Sequence, residues 1–197
     1  MSEVDPRGAA EAAIRAQLDA GDLRGGATAA LQLYGAELFG FLKGIERDAD
    51  LAAEAFAQLG EDLWRGLVKF RWDATLRSWM YAVARNALHR LRRDPRRSPQ
   101  RNIGLTDADV AEIAEQLRTA TAVYQRTEVK DELRVLRAEL DPDDRELLIL
   151  RLDRQMSWKD IARVLGGDDA VTARAAALRK RFERLKERIA TIVTPRA

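Results

Sequence analysis

The sequence predicts an all-α protein, two small helical domains joined by a linker, and three observations predict it. Apolar residues recur at steps of three and four from Leu31 to Leu91 and again from Leu133 to Ile189, the spacing of a buried helical stripe. No stretch alternates apolar and polar residues as a half-buried strand would. Between the two periodic regions, residues 95–121 hold Pro95, Pro99 and an acidic run from Asp107 to Glu115, with no continuous stripe.

Residues 1–27 read as a small-residue N-terminal tail, with one candidate helix over 9–20, ending in the breaker Gly25–Gly26. The first domain spans 28–94. Thr28 is a candidate cap for a helix whose inner face is Leu31, Tyr34, Leu38, Phe41 or Leu42, and Ile45. The next helix turns Ala52, Phe56, Leu59, Leu63, Leu67 and Phe70 inward, with Glu54, Gln58, Glu61, Asp62 and Arg65 outward. After the turn-like Arg71–Ala74, Thr75 with Ser78 opens a third helix that buries Leu76, Trp79, Met80, Val83, Ala87 and Leu91, and Asp94–Pro95 ends it.

A linker over 95–123, with room for one short helix, leads to a second domain over 124–193. There the stripe Val123, Leu133, Leu136 and Leu140 precedes Asp141–Pro142, a cap followed by a first-turn proline. A helix with Leu147–Leu148–Ile149–Leu150 and Leu152 follows. Ser157 then caps a short helix through Ile161, Ala162, Val164 and Leu165 that Gly166–Gly167 closes. The last helix turns Val171, Ala175, Leu178, Phe182, Leu185 and Ile189 inward.

The small net charge conceals four blocks of alternating sign. Lys and Arg number 7 against 12 Asp and Glu over residues 1–70, then 9 against 2 over 71–101, 6 against 12 over 102–147, and 12 against 6 over 148–197. Two separated positive surfaces on one small chain suggest a polyanion held at two places, and DNA fits. With no cysteine and one histidine, disulfides and Cys/His zinc sites are excluded, and nothing in the spacing asks for another metal or cofactor. No Gly-rich phosphate loop and no nucleophile–base pair points to an enzyme. No window approaches the roughly 20 apolar residues that cross a bilayer, so no membrane insertion is expected. The acidic, Ala-rich start lacks signal-peptide order, which makes the cytoplasm the expected location.

On the third helix Arg77, Tyr81, Arg85, His89 and Arg92 form a polar stripe opposite the buried one, flanked by Asn86, Arg90 and Arg93. Trp64, Trp72, Trp79, Phe70 and Tyr81 lie close by in sequence. Cations attract the phosphate backbone and aromatic faces accept unstacked bases, a combination suited to single-stranded or opened DNA. Trp64 and Trp79 read as packing residues; Trp72, in the loop, fits packing and base contact about equally. In the C-terminal domain, Ser157–Leu165, the Gly166–Asp169 turn and the helix from Ala170 have helix-turn-helix proportions. The outward face of that last helix is Ala173, Ala176, Ala177 and Lys180, flanked by Thr172 and Arg179 on one side and Arg174 and Arg181 on the other. Arg174 is the candidate reader of a guanine.

Phe70-Arg-Trp-Asp-Ala-Thr-Leu-Arg-Ser-Trp-Met-Tyr-Ala-Val-Ala-Arg-Asn86, then Leu88-His-Arg-Leu-Arg-Arg93, resembles the promoter-melting segment of bacterial sigma factors of the extracytoplasmic-function type. Leu140-Asp-Pro-Asp-Asp-Arg-Glu-Leu-Leu-Ile-Leu-Arg151, Ser157-Trp-Lys-Asp-Ile-Ala162 and Leu178-Arg-Lys-Arg-Phe182 resemble that family's C-terminal promoter-binding domain. The resemblance implies an alternative sigma factor, non-enzymatic, with core RNA polymerase and promoter DNA as partners and an anti-sigma factor as a further candidate partner. It implies that Arg71, Trp72, Asp73 and Thr75 hold a flipped base of the −10 element, and that Arg77, Tyr81, Arg85, Asn86, His89 and Arg90 line the strand. It implies that Thr172, Ala173, Arg174, Ala176, Ala177 and Lys180 read the −35 element, with Arg151, Lys159 and Arg179 on phosphates. Glu54, Gln58, Glu61 and Asp62 would dock on the polymerase. In this chain the C-terminal turn is one residue shorter than the family's frequent Pro-x-Gly-Thr form. The alternatives are a polymerase-independent helix-turn-helix regulator, which has no need of the aromatic loop, and a helical scaffold that binds an acidic protein.

Overall fold

In a computed structural model the described residues are 6–93 and 139–193, and every regular element among them is a helix. They fall into two compact units, each described by itself. The predicted linker 95–123 and the stripe through Val123, Leu133 and Leu136 lie outside the described residues. No described helix is long and apolar enough to cross a membrane.

The first unit packs four helices: α1 (Pro6–Asp19), α2 (Leu23–Ile45), α3 (Ala49–Leu67) and α4 (Leu76–Arg93). Leu38, Phe41, Leu42, Leu59, Leu63, Leu76, Met80 and Leu88 are its fully buried centre. Two expectations about its start are corrected. The N-terminal segment is not a tail, because α1 packs on α2 and buries Ile14. Gly25–Gly26 does not break the chain, because α2 begins before it, with the Asp22 carboxylate rather than Thr28 accepting from Gly25 N–H at 2.8 Å. Gly26 is there for close approach: a Cβ would lie 2.5 Å from Leu18 Cδ2 of α1. Tertiary contact overrides low helix propensity at this point.

Asp48 caps α3, accepting from the Asp50 and Leu51 N–H groups at 2.9 and 3.2 Å. The expected inner face of α3 is buried from Ala52 to Leu67, while Phe70 lies in the following loop and is half-buried. At the start of α4, Thr75 Oγ1 accepts from Ser78 N–H at 3.2 Å. The Glu11 carboxylate of α1 accepts from Leu76 and Arg77 N–H at 3.2 and 3.0 Å, so a residue far away in sequence caps this helix. Tyr34 donates to the same carboxylate at 2.8 Å, and burial first, then this bond, pushes its phenol above the ordinary range.

The buried face of α4 is broader than its apolar stripe. Tyr81, Ala84 and Leu88 join Leu76, Met80, Ala87 and Leu91, whereas Trp79 and Val83 are half-buried. Tyr81, expected on the polar stripe, is fully buried. Its ring packs 4.9 Å from that of Phe41, and its hydroxyl donates to Glu37 at 2.7 Å. A phenol enters a core when an acceptor is waiting, and α2 supplies it.

The second unit holds α5 (Pro142–Leu148), continued by a π-helical turn (Ile149–Asp153), α6 (Trp158–Gly166) and α7 (Val171–Val193). Asp141 caps α5, accepting from Asp144 N–H at 3.0 Å. Leu147, Leu148, Ile149 and Leu150 are buried as expected. Leu152 is not. The wide turn, with Arg154 N–H on Ile149 C=O at 3.0 Å, rotates it outward to 52% exposure. Ser157 caps α6, accepting from Asp160 N–H at 3.1 Å, and Gly167 ends it at φ +75°, a left-handed backbone that suits glycine. On α7, Ala175, Phe182 and Leu185 are buried and Val171, Leu178 and Ile189 partly so, the predicted face.

Glu46, between α2 and α3, accepts from Arg47 and Asp48 N–H at 2.7 and 3.0 Å and from Arg92 of α4 at 2.8 Å. Burial raises its pKa, but the Asp48 N–H, Arg92 and Arg47 N–H together outweigh burial and hold the carboxyl below its ordinary range. A lowered folded value means the stabilisation is complete above the unfolded pKa of about 4.3 and is lost as pH falls through the folded one. Glu46→Gln is therefore expected to lower stability by about 1–2 kcal/mol at pH 7. The deficit against wild type should close in urea titrations repeated at successively more acidic pH; a deficit independent of pH would contradict this.

Candidate nucleic-acid interface

In the first unit three aromatic rings meet on the loop between α3 and α4. The Phe70 ring lies 4.9 Å from Trp72 and 4.9 Å from Trp79, the latter stacked at 29°. All three are half-buried, so they form a ledge rather than a core. Trp72 has φ +60°, a left-handed backbone that a bulky residue adopts only under constraint, at about 1–3 kcal/mol. The Arg15 guanidinium carbon, from α1, lies 5.4 Å from the Trp72 ring. Sequence reading missed Arg15, because nothing local in α1 shows that the helix returns to this loop. Arg71 and Asp73 pair with each other at 3.2 Å on the exposed rim, and Thr75 is occupied as a cap.

The basic stripe of α4 is largely consumed inside the unit. Arg77 donates to Glu37 through Nε at 2.6 Å, with its side chain only 15% exposed. Arg92 bonds Glu46 and, at 3.0 Å, the Ile45 carbonyl, and Arg90 pairs with Asp62. Tyr81 is buried and Arg77 is engaged with Glu37, so neither lies open on the polar stripe as expected. Arg85 and His89 are half-buried, and Asn86 is exposed.

The acidic face of α3 is likewise not the open surface expected. Glu61 is buried and pairs with Arg65 at 3.6 Å, while Gln58 donates to Glu61 and Asp62 at 3.4 and 3.3 Å. Glu54 is half-buried. Side chains that already satisfy one another are weak hooks for a partner.

The second unit differs. Thr172, Ala173, Ala176, Ala177, Arg179 and Lys180 are exposed on α7 and Lys159 on α6, as predicted. Among the described residues, Lys159, Arg179 and Lys180 have no carboxylate partner, and nor does Arg151. Arg151 donates to the Met156 carbonyl at 2.8 Å and lies 4.9 Å from the Trp158 ring. On another side of α7 Arg181 and Arg188 are taken. Arg181 reaches Asp144, Asp141 and Asp143 at 2.6, 3.3 and 3.6 Å, and Arg188 reaches Asp144 at 2.6 Å. The Asp144 N–H, and then Arg181, hold the Asp141 carboxyl below its usual range against the opposing effect of burial.

Arg174 corrects an expectation. Its guanidinium folds back over Gly166 and donates to the carbonyls of Ala162 and Gly167 at 3.2 and 2.9 Å, bracing α6 against α7. A side chain committed to those carbonyls is not positioned as a base reader. Arg174 lies on the flank of α7 with its guanidinium turned back onto the end of α6.

No family model matches the chain, and no curated protein or solved structure matches it.

Arg174→Ala should therefore lower stability by about 1–2 kcal/mol through two lost carbonyl contacts. A binding-site selection on the folded variant should return the same base preferences as wild type. A preference lost at one base position, with stability intact, would restore the reading role.

Proposed function

We propose that this chain is an alternative sigma factor of the extracytoplasmic-function type. On this reading it acts in the cytoplasm, binds core RNA polymerase, contacts the −10 and −35 elements of promoters and helps to open them. An anti-sigma factor is its candidate regulator. One observation carries the reading: the ledge Phe70–Trp72–Trp79, with Trp72 held in a left-handed backbone, lies on the loop whose sequence resembles the family's melting segment. A half-buried aromatic step offers an unstacked base a face worth about 1–3 kcal/mol, and a duplex-only binder has no use for it. The Arg15 guanidinium lies beside that step, and Asn86 is exposed further along α4.

The C-terminal surface supports the second contact. Lys159, Arg179 and Lys180 are exposed cations without a carboxylate partner among the described residues, around a small-residue face that admits a close approach to DNA. Phosphate contact rather than dense hydrogen bonding to bases then dominates, because Ala173, Ala176 and Ala177 offer only methyl groups. The same asymmetry favours a second reading, a polymerase-independent duplex binder: Lys159, Arg179 and Lys180 of the second unit have no carboxylate partner among the described residues, whereas Arg77, Arg92 and Arg90 of α4 are paired with Glu37, Glu46 and Asp62.

Co-elution with core RNA polymerase on size exclusion at micromolar concentration separates the two. A complex is expected, and its absence selects the polymerase-independent regulator.

Trp72→Ala is expected to weaken binding to single-stranded non-template DNA by about 1–3 kcal/mol and to reduce permanganate reactivity of the promoter in the presence of polymerase. Duplex binding should be unchanged. Equal losses on both substrates would remove the division of labour between ledge and α7.

A further inference from the structure

The Trp158 ring is where three elements of the second unit meet. It opens α6, fixed there by the Ser157 cap, and stands edge-on to Phe182 of α7 with centroids 5.5 Å apart at 67°. The guanidinium carbon of Arg151, from the π-helical turn, lies over it at 4.9 Å, and that of Arg179, from α7, at 5.8 Å. Two cations from segments distant in sequence are thus gathered on one ring. Neither has a carboxylate partner among the described residues, whereas Arg163, Arg181 and Arg188 nearby do.

Like charges repel, and what holds both guanidinium groups near one ring is the attraction of each to the negative π-cloud of the indole. A guanidinium lying on a ring keeps in-plane N–H groups for oxygen acceptors; Arg151 gives one from Nη1 to the Met156 carbonyl and keeps the others, and such N–H groups on neighbouring guanidinium groups match phosphate. Long side chains already confined also lose less freedom on binding than free ones.

We infer that Trp158 is a positioning residue for nucleic-acid binding: it assembles Arg151 and Arg179 into one preformed site for neighbouring phosphates of a DNA backbone. Trp158 itself need not touch DNA. The inference rests on the proposal that this surface of the second unit binds DNA, and it gives the π-helical turn a purpose, since that turn carries Arg151 to the ring.

The test uses the full chain and mixed-sequence duplex DNA, because phosphate binding does not depend on sequence. Affinity is measured over a series of salt concentrations for wild type, Trp158→Leu, Trp158→Phe, the double variant Arg151→Ala/Arg179→Ala, and that double variant with Trp158→Leu. Trp158→Leu is expected to lose about tenfold in affinity and to flatten the slope of log affinity against log salt by about 1, near the value of one phosphate contact. Trp158→Phe, which keeps a ring against Phe182 but has a weaker face, should retain part of the affinity. In the Arg151→Ala/Arg179→Ala background Trp158→Leu should cost nothing further, which a merely structural role would not produce. Circular dichroism reports folding, and if Trp158→Leu loses its helical signal the same cycle is read with Trp158→Phe. Additive losses in the two backgrounds, or an unchanged salt slope, overturn the role of Trp158 alone. Absence of salt-dependent binding by wild type overturns the DNA reading of the whole surface.

Discussion

Glu37 of α2 accepts from Arg77 and Tyr81 of α4, while Glu11 of α1 accepts from the first N–H groups of α4 and from Tyr34. These carboxylates fix where α4 starts, which of its faces turns inward and how α1 lies across it. A helix N-terminus left bare would keep several donors unsatisfied, and a buried phenol or half-buried guanidinium without an acceptor would be more costly still. The ledge after α3 depends on the same network, because the position of α1 that lets Glu11 reach Leu76 also brings Arg15 to Trp72.

Seen this way, the two units treat their arginines differently. In the first, Arg77, Arg90 and Arg92 are matched to Glu37, Asp62 and Glu46, so much of the basic block after residue 70 is used as internal glue. In the second, the carboxylates at the start of α5 gather Arg181 and Arg188 on one side of α7 and leave Arg179 and Lys180 without carboxylate partners on another. Charge composition alone suggests two equivalent positive surfaces. Pairing makes them unequal: an aromatic ledge with few open cations, and a cationic face with one organising ring.

The helices themselves were legible because their evidence is local. Periodic apolar residues, Asp141–Pro142, Ser157 and Thr75 are each interpretable within a turn or two, and the inner face of α7 follows from its spacing alone. What escaped the sequence depends on partners far away. Tyr81 reads as polar until Glu37 is known to face it, and Glu11 reads as a tail residue until α4 arrives beneath it. Gly25–Gly26 reads as a stop because the pressure to keep it small comes from Leu18 of another helix. At the site, the aromatic loop and the outward face of α7 could be named from sequence, whereas Arg15, Trp158 and the inward direction of Arg174 could not. In each case the missing fact is which carbonyl, carboxylate or ring stands opposite.

The π-helical turn at Ile149–Asp153 carries a length constraint on this part of the chain. It accommodates one residue more per hydrogen-bonded loop than an α-helix does, and each residue advances an α-helix by about 100°. Winding the same residues as an ordinary α-helix would tighten each step and swing the side chains at the end of the turn by up to about that angle before Met156 re-enters the core. Leu152 would turn inward and Arg151 would leave the indole, although no residue of α6 or α7 had been altered. Homologous chains that share the surface should therefore preserve the residue count between Leu150 and Ser157 more strictly than the identities of the exposed residues between them.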